Sequence, residues 1–291
     1  MTRRDAALLI ALGAIWGAVF PLASVVLQEL SAPIVVVART GLSALLLVPL
    51  ALRGGALVRE LRRHPAALLI ASVLQMTVPV VLLTVGQQHV NGGLAGILLG
   101  TQPVWATVLT AVMDRRLGSG AAIGVTLGLT GTVLLFWQDL GGGSAPAHGV
   151  LLVAAAGGYA AGAVYIQRVL PDVPPITVAA TALGLSCLLL APTLALVPSR
   201  LPSPAAAGWL IVLSTVATGG ALLLFYLLIG RIGAVRANLA AYLAPAFAVL
   251  YDVPLGHLPS ASALAGLALI LIGSVMAART PVHQGEPCPS I

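Results

Sequence analysis

Apolar residues run along this chain in stretches of about twenty, separated by short polar or Gly/Pro punctuation. Within a stretch the apolar positions do not alternate with polar ones, which argues against the strands of a membrane barrel. Breaks at charge clusters, proline and glycine divide the sequence into ten spans: 6–28, 33–52, 66–86, 92–113, 119–137, 148–169, 174–197, 206–229, 234–252 and 260–278. Each has roughly the 17–25 residues that a helix rising 1.5 Å per residue needs to cross hydrocarbon. The pattern predicts an all-α integral membrane protein with ten transmembrane helices.

The arginines test that count. With the N-terminus in the cytoplasm, Arg3, Arg4, Arg53, Arg59, Arg62, Arg63, Arg115, Arg116, Arg168, Arg231, Arg236 and Arg279 all fall on the cytoplasmic side. Arg200 alone falls outside, and Arg39 lies within a span. Twelve against one is the asymmetry of the positive-inside rule, and one helix more or fewer would scramble its second half. Both termini are therefore expected in the cytoplasm. The first apolar run follows "MTRRD", a signal-like start. It continues for over twenty residues without a small-residue cleavage site, so it is read as a retained helix.

Composition removes the soluble alternatives. Charged residues make up 8%, against about 25% in an ordinary soluble domain. The mean hydropathy is +1.06. The net charge of +6 would suggest nucleic acid in a soluble chain, but these arginines punctuate apolar runs, so no nucleic-acid partner is expected. Every basic residue is arginine, a weak sign of GC-rich bacterial codon usage. Cys187 lies in an apolar run and Cys288 in the tail, which gives no disulfide framework and no metal spacing. No His/Asp/Glu grouping suits an intramembrane enzyme. Neither cofactor nor metal is expected.

The sequence repeats itself. "PIVVVA" at 33–38 matches "PITVAA" at 175–180, an offset of 142. After a one-residue slip "GLSALLLVP" at 41–49 meets "GLSCLLLAP" at 184–192. "PVWATVL" at 103–109 meets "PAFAVLY" at 245–251, Gly124 meets Gly266 and Gly131 meets Gly273, again at 142. The unit holds five spans. An odd number turns the second copy over, so the two units, 1–140 and 147–279, form an inverted-topology repeat, an architecture of secondary transporters. Residues 280–291 are read as a disordered cytoplasmic tail.

"AIWGAVFP", "ARTGLSALLLVP", the P-V-W-A of span 4 and "IGRIGAVRANLAAYLAPAFAVL" across spans 8 and 9 resemble the drug/metabolite transporter superfamily of the EamA type. The resemblance covers about residues 6–278. It implies export or exchange of small metabolites, often amino acids or related compounds, across the bacterial inner membrane. It also implies a Gly-Glu pair ending spans 4 and 9. Here those places read "MDRRL", with Arg115 where Glu is usual, and "PLGHL", with His257; Asp114 is the candidate stand-in.

Solute sites in such repeats lie near the midplane, on polar groups and interrupted helices. The candidates are Trp16, Arg39, Gln75, Thr101, Gln102, Trp105, Tyr159, Tyr165, Tyr226, Asn238 and Tyr242. Pro79, Pro103 and Pro245 are read as helix kinks, since each removes a backbone donor. Plain packing is the competing reading for the tryptophans, tyrosines and prolines. Gly92, Gly96 and Gly100, and likewise Gly120, Gly124 and Gly128, line up for close helix approach, with a homodimer contact as the alternative. None of the eight acidic residues is near a midplane, which favours neutral or zwitterionic solutes. A flippase for lipid-linked sugars and a proton-coupled multidrug exporter are the alternatives. Arg39 lies roughly 9 Å below the outer edge, six residues in at helical rise. It is read either as a structural cation, capping carbonyls or paired with Glu29 or Asp252, or as a direct contact to solute. Its repeat twin is the neutral Thr181.

Overall fold

An apolar segment in hydrocarbon keeps its backbone polar groups bonded only by coiling on itself. A computed structural model of the chain describes residues 1–88, 95, 98–114, 119–135, 146–198, 201–252 and 261–279, and among these there are helices and turns but no strand. The tail 280–291, Arg115, His257 and Arg200 lie outside the described residues, as do Gly92 and Gly96.

The first half runs α1 (Arg3–Gly17), α2 (Val19–Leu27), α3 (Ala32–Arg53), α4 (Ala56–Arg63), α5 (Pro65–Ser72), α6 (Val78–Gln87), α7 (Gln102–Asp114) and α8 (Ser119–Leu135). The second runs α9 (Pro146–Val169), α10 (Pro175–Leu190), α11 (Pro204–Ser214), α12 (Ala221–Ile232), α13 (Ala234–Ala237), α14 (Ala240–Asp252) and α15 (Ala261–Arg279). Six described stretches are long and apolar enough to cross a membrane: Arg3–Glu29, Ala32–Arg53, Pro65–Gln87, His148–Val169, Pro175–Leu196 and Pro204–Ile232. α7, α8, α14 and α15 occupy the other four expected places.

Several spans expected to be continuous are interrupted. Span 1 breaks at Ala18, where Pro21 offers no donor to the carbonyl of Gly17. Span 9 breaks between α13 and α14, at Asn238 and Leu239. Spans 3 and 8 each widen into a π-helical turn, Val73–Thr77 and Thr215–Gly220. Their starts are 142 residues apart, the repeat offset. Pro79 follows the first turn and withholds a donor from Gln75. The second has no proline but ends in Gly219 and Gly220, and a methyl on Gly219 would lie 3.2 Å from Ser43 Cβ.

The twin serines of the "GLS" segments clamp these turns from the opposite half. The Ser43 hydroxyl on α3 lies within hydrogen-bond distance of the carbonyls of Ser214 and Arg39, which share its one proton. Ser186 on α10 shares a 2.7 Å hydrogen bond with Thr77, whose hydroxyl also reaches the Ser72 carbonyl. Thr218 likewise donates to the carbonyl five residues back, on Leu213, at 2.8 Å.

The halves pack through one another: α3 lies on α10, α8 on α15, α1 on α14 and α9 on α6 and α7. The α8–α15 seam is built from glycine. A methyl on Gly131 would sit 2.6 Å from Gly266 O, and one on Gly273 2.6 Å from Gly124 O. Gly128 faces the Tyr242 ring. Gly124 and Gly128 thus do their close packing inside the chain.

At the ends of the helices that carry most arginines, Arg231 Nε donates to Asp5 at 2.7 Å and Arg168 pairs with Asp114. These bonds join α12 to α1 and α9 to α7. Gly233, with φ +84°, makes the abrupt turn from α12 into α13, a conformation that glycine tolerates and bulkier residues do not.

Candidate functional site

A cavity lies between the halves, and both π turns and the residues flanking the break in span 1 line it. Its lining comes from α1 and α2 (Trp16, Val19), α3 (Arg39), the first π turn (Gln75, Met76), α6 (Leu83, Gln87) and α7 (Gln102). From the second half come Tyr159, Ala217, Thr218, Leu222, Ala241, Ala244 and Pro245; Leu99 adds to the first-half side. The space between the lining residues, open mouth included, is about 780 Å³.

The lining obeys the repeat. Leu99 and Ala241, Gln102 and Ala244, Gln75 and Ala217, and Met76 and Thr218 are pairs at offset 142, and all eight line the cavity. Trp16 and Tyr159 form a fifth pair after a one-residue slip. Equivalent positions of the two halves therefore meet at the cavity. The shape is shared between the halves, whereas the chemistry is not. The first half supplies Arg39, Gln75 and Gln102, whose twins are Thr181, Ala217 and Ala244.

Prolines free backbone carbonyls at lining residues as well. Pro79, Pro103 and Pro245 each leave the carbonyl four residues upstream without its helical donor. Those residues are Gln75, Leu99 and Ala241, and all three line the cavity.

Arg39 is 7% exposed. Its Nε donates to Thr218 Oγ1 at 2.6 Å, across the boundary between halves. Of its two expected acidic partners, Glu29 is engaged elsewhere: its carboxylate accepts from Ser203 N at 2.8 Å and from Ser203 Oγ at 2.7 Å. The Asp252 side chain lies outside the described residues. Gln75 is 1% exposed, and its Oε1 is buried without a partner. That oxygen packs on α9, where a methyl on Gly162 would come within 2.5 Å of it. Gln102 Nε2 donates to Asn238 Oδ1, and Asn238 Nδ2 donates to Ala234 O at 2.8 Å. The two amides thus tie the start of α7 to the break between α13 and α14.

Of the residues singled out from sequence, the structure brings Trp16, Arg39, Gln75, Gln102, Tyr159 and Pro245 to the cavity. Trp16 also lies against Phe225, ring centroids 5.2 Å apart. Asn238 is fully buried behind Gln102. Tyr242 is fully buried, its hydroxyl donating to Val125 O at 2.8 Å. Tyr226 is buried beside Phe225, with its hydroxyl unpartnered, and Tyr165 is half-buried against the core. Thr101 donates to Leu98 O. Trp105 is 39% exposed on the outer surface of the bundle. Pro79 and Pro103 stand at helix starts, just behind the lining.

Met76, Gln87, Ala217, Thr218, Ala241 and Ala244 line the cavity without having been singled out. Applying the offset of 142 to Gln75 and Gln102 would have found Ala217 and Ala244, and through the next position Thr218. Gln87 carries no such signal. Among the described residues no group of three or more His, Cys, Asp or Glu is placed to hold a metal ion.

Two comparisons bear on this arrangement. The EamA-like transporter family matches twice, at residues 5–137 and 148–279, so the family unit falls on each of the two repeats. A solved crystal structure superposes with a TM-score of 0.76 at 21% sequence identity, over 95% of this chain and 97% of that one, a likeness of fold. No curated protein matches the sequence.

Proposed function

The chain belongs to the EamA-like transporter family, a family of multi-pass membrane transporters of small solutes, and from that premise we propose that it is a ten-helix secondary transporter working by alternating access. Both termini are cytoplasmic, and the membrane is the bacterial inner membrane. The solutes are small organic metabolites, amino acids and related compounds among them, exported or exchanged. The supporting observation is the cavity lined by matched residues of the two repeats. Inverted halves can exchange conformations, so outward- and inward-open states lie close in free energy by construction.

The proposed orientation gives this conformation a direction. The cavity reaches Gln87, the last residue of α6, which the arginine pattern places outside. The opposite end is held by Arg231 on Asp5, Arg168 on Asp114 and Gln167 on the α13 backbone. It is an outward-facing state with a cytoplasmic latch. The paired π turns are the joints: a π turn already lacks the regular helical ladder, and each is held by a serine from the other half.

The test is flux. Protein reconstituted into vesicles loaded with a mixture of amino acids and related metabolites is expected to exchange some of them without ATP. Strict dependence on ATP hydrolysis, or no flux of any component, would sink the proposal.

A further inference from the structure

Arg39 is a buried guanidinium that, among the described residues, faces no carboxylate. Arginine does not deprotonate in proteins, so the charge is permanent. A buried cation persists where paired or hydrogen-bonded, and such groups inside membranes mark functional paths. Thr218 satisfies Nε alone. The Thr218 hydroxyl spends its own proton on Leu213 O, so it can only accept from Arg39, which fixes the orientation of the guanidinium. The terminal nitrogens donate to no described acceptor, and the described residues of the cavity lining include neither Asp nor Glu. With Nε occupied, the free edge of the guanidinium is the fork of its two terminal nitrogens, which matches the two oxygens of a carboxylate.

Resting on the transporter reading above, we infer that the cavity selects a monocarboxylate: one acid group docks on the terminal nitrogens of Arg39, and an uncharged, largely apolar body fills the rest. The charge count sets "mono". A single cation neutralises one negative charge, and a second on the solute would lie unpaired in a site of low dielectric. The absence of an acid in the lining sets "uncharged body", because the ammonium of a zwitterion has no counter-charge here. Met76, Leu83, Leu99 and Leu222 offer apolar walls, Trp16 an aromatic one, and the amides of Gln75 and Gln102 hydrogen-bonding capacity. The class is therefore organic acids and N-acylated amino acids in preference to free amino acids. Arg39 grips the second π turn through Thr218, so the acid group would be read where the halves meet.

The experiment uses the full chain in lipid nanodiscs and four matched probes. N-acetylphenylalanine carries one negative charge, phenylalanine is a zwitterion, N-acetylphenylalaninamide is neutral and phenylalaninamide is a cation. Tryptophan fluorescence reads binding, and inhibition of metabolite exchange in vesicles reads competition. N-acetylphenylalanine is expected to bind at least about tenfold more tightly than its neutral amide, a difference of about 1.4 kcal/mol, with free phenylalanine between them. Arg39→Gln is expected to erase the acid-over-amide preference while the weak binding of the amide persists. If Arg39→Gln does not fold, Thr218→Val in its place should reduce the preference by loosening the guanidinium. Acid and amide binding equally to the native chain, or the preference surviving Arg39→Gln, overturns the inference. Exchange of the metabolite mixture with no competition from N-acetylphenylalanine overturns it alone; absence of all exchange removes the transporter reading as well.

Discussion

Replacing Gly131 or Gly273 with alanine drives a methyl group to 2.6 Å from a backbone oxygen of the facing helix, Gly266 O in one case and Gly124 O in the other. An ordinary carbon–oxygen contact is about 3.3–3.6 Å, so α8 and α15 must separate by roughly 0.7 Å or more. Neither oxygen belongs to a side chain that can swing away. Overpacking a close contact costs about 1–3 kcal/mol, and membrane helices associate largely through such packing. Each single variant should therefore lose about 1–3 kcal/mol of stability and show lower abundance and a lower melting temperature in detergent. The two sites are repeat twins with mirrored contacts, so their losses should be equal within about 0.5 kcal/mol. The double variant should lose less than the sum, because one separation relieves both clashes. Gly208→Ala is the control, with nothing within 4 Å of the added methyl. If all three variants melt alike, the close approach of α8 and α15 is wrong. If one twin is silent and the other severe, the twofold relation of that seam is wrong.

Gln102→Leu and Asn238→Leu each strand the other's amide, and a double-mutant cycle on stability in detergent should return a coupling of about 0.6–1.7 kcal/mol, the range for hydrogen bonds between membrane helices; no coupling would mean that the two amides do not meet. Ser43→Ala and Ser186→Ala each free one π turn, so both should raise hydrogen exchange at that turn, Thr215–Gly220 for the first and Val73–Thr77 for the second. Exchange that rises at the wrong turn contradicts the crosswise clamp. On the loop helix α4, the Arg59 guanidinium holds the Glu60 carboxyl below its ordinary value of 4.5. A lowered value favours the folded state above the ordinary one, and that contribution is lost as pH falls through the lowered one. Between pH 7 and pH 3 the native chain should thus lose more stability than Glu60→Gln, read by melting at the two pH values.

Helical spans, their order and the repeat were legible because hydrocarbon demands long apolar runs and because Gly124, Gly131 and Pro103 kept their partners at one offset and the "GLS" segments within one residue of it. Which face of each helix points inward was not legible. Lipid and protein interior are equally apolar, so an apolar helix carries no pattern that separates them. Trp16 lines the cavity while Trp105 faces outward, and nothing in the local sequence of either says so. Nor do the π turns leave a periodic trace, since one extra residue in a uniformly apolar run shifts no visible stripe. Polar residues carry more signal, because an amide facing lipid is costly; Gln75, Gln102 and Arg39, all candidates from the sequence, lie on the cavity lining. Asn238 follows the same cost but meets it by pairing with Gln102.

The measurement that bears most directly on alternating access is a pair of spin-label distances taken with and without a transported solute. One pair, at Gln88 and Leu201, lies on the side proposed as extracellular; the other, at Val58 and Val169, lies on the side proposed as cytoplasmic. All four positions are exposed. Solute is expected to shorten the first distance and lengthen the second in the same molecules. Solute flux with both distances unchanged would contradict the account.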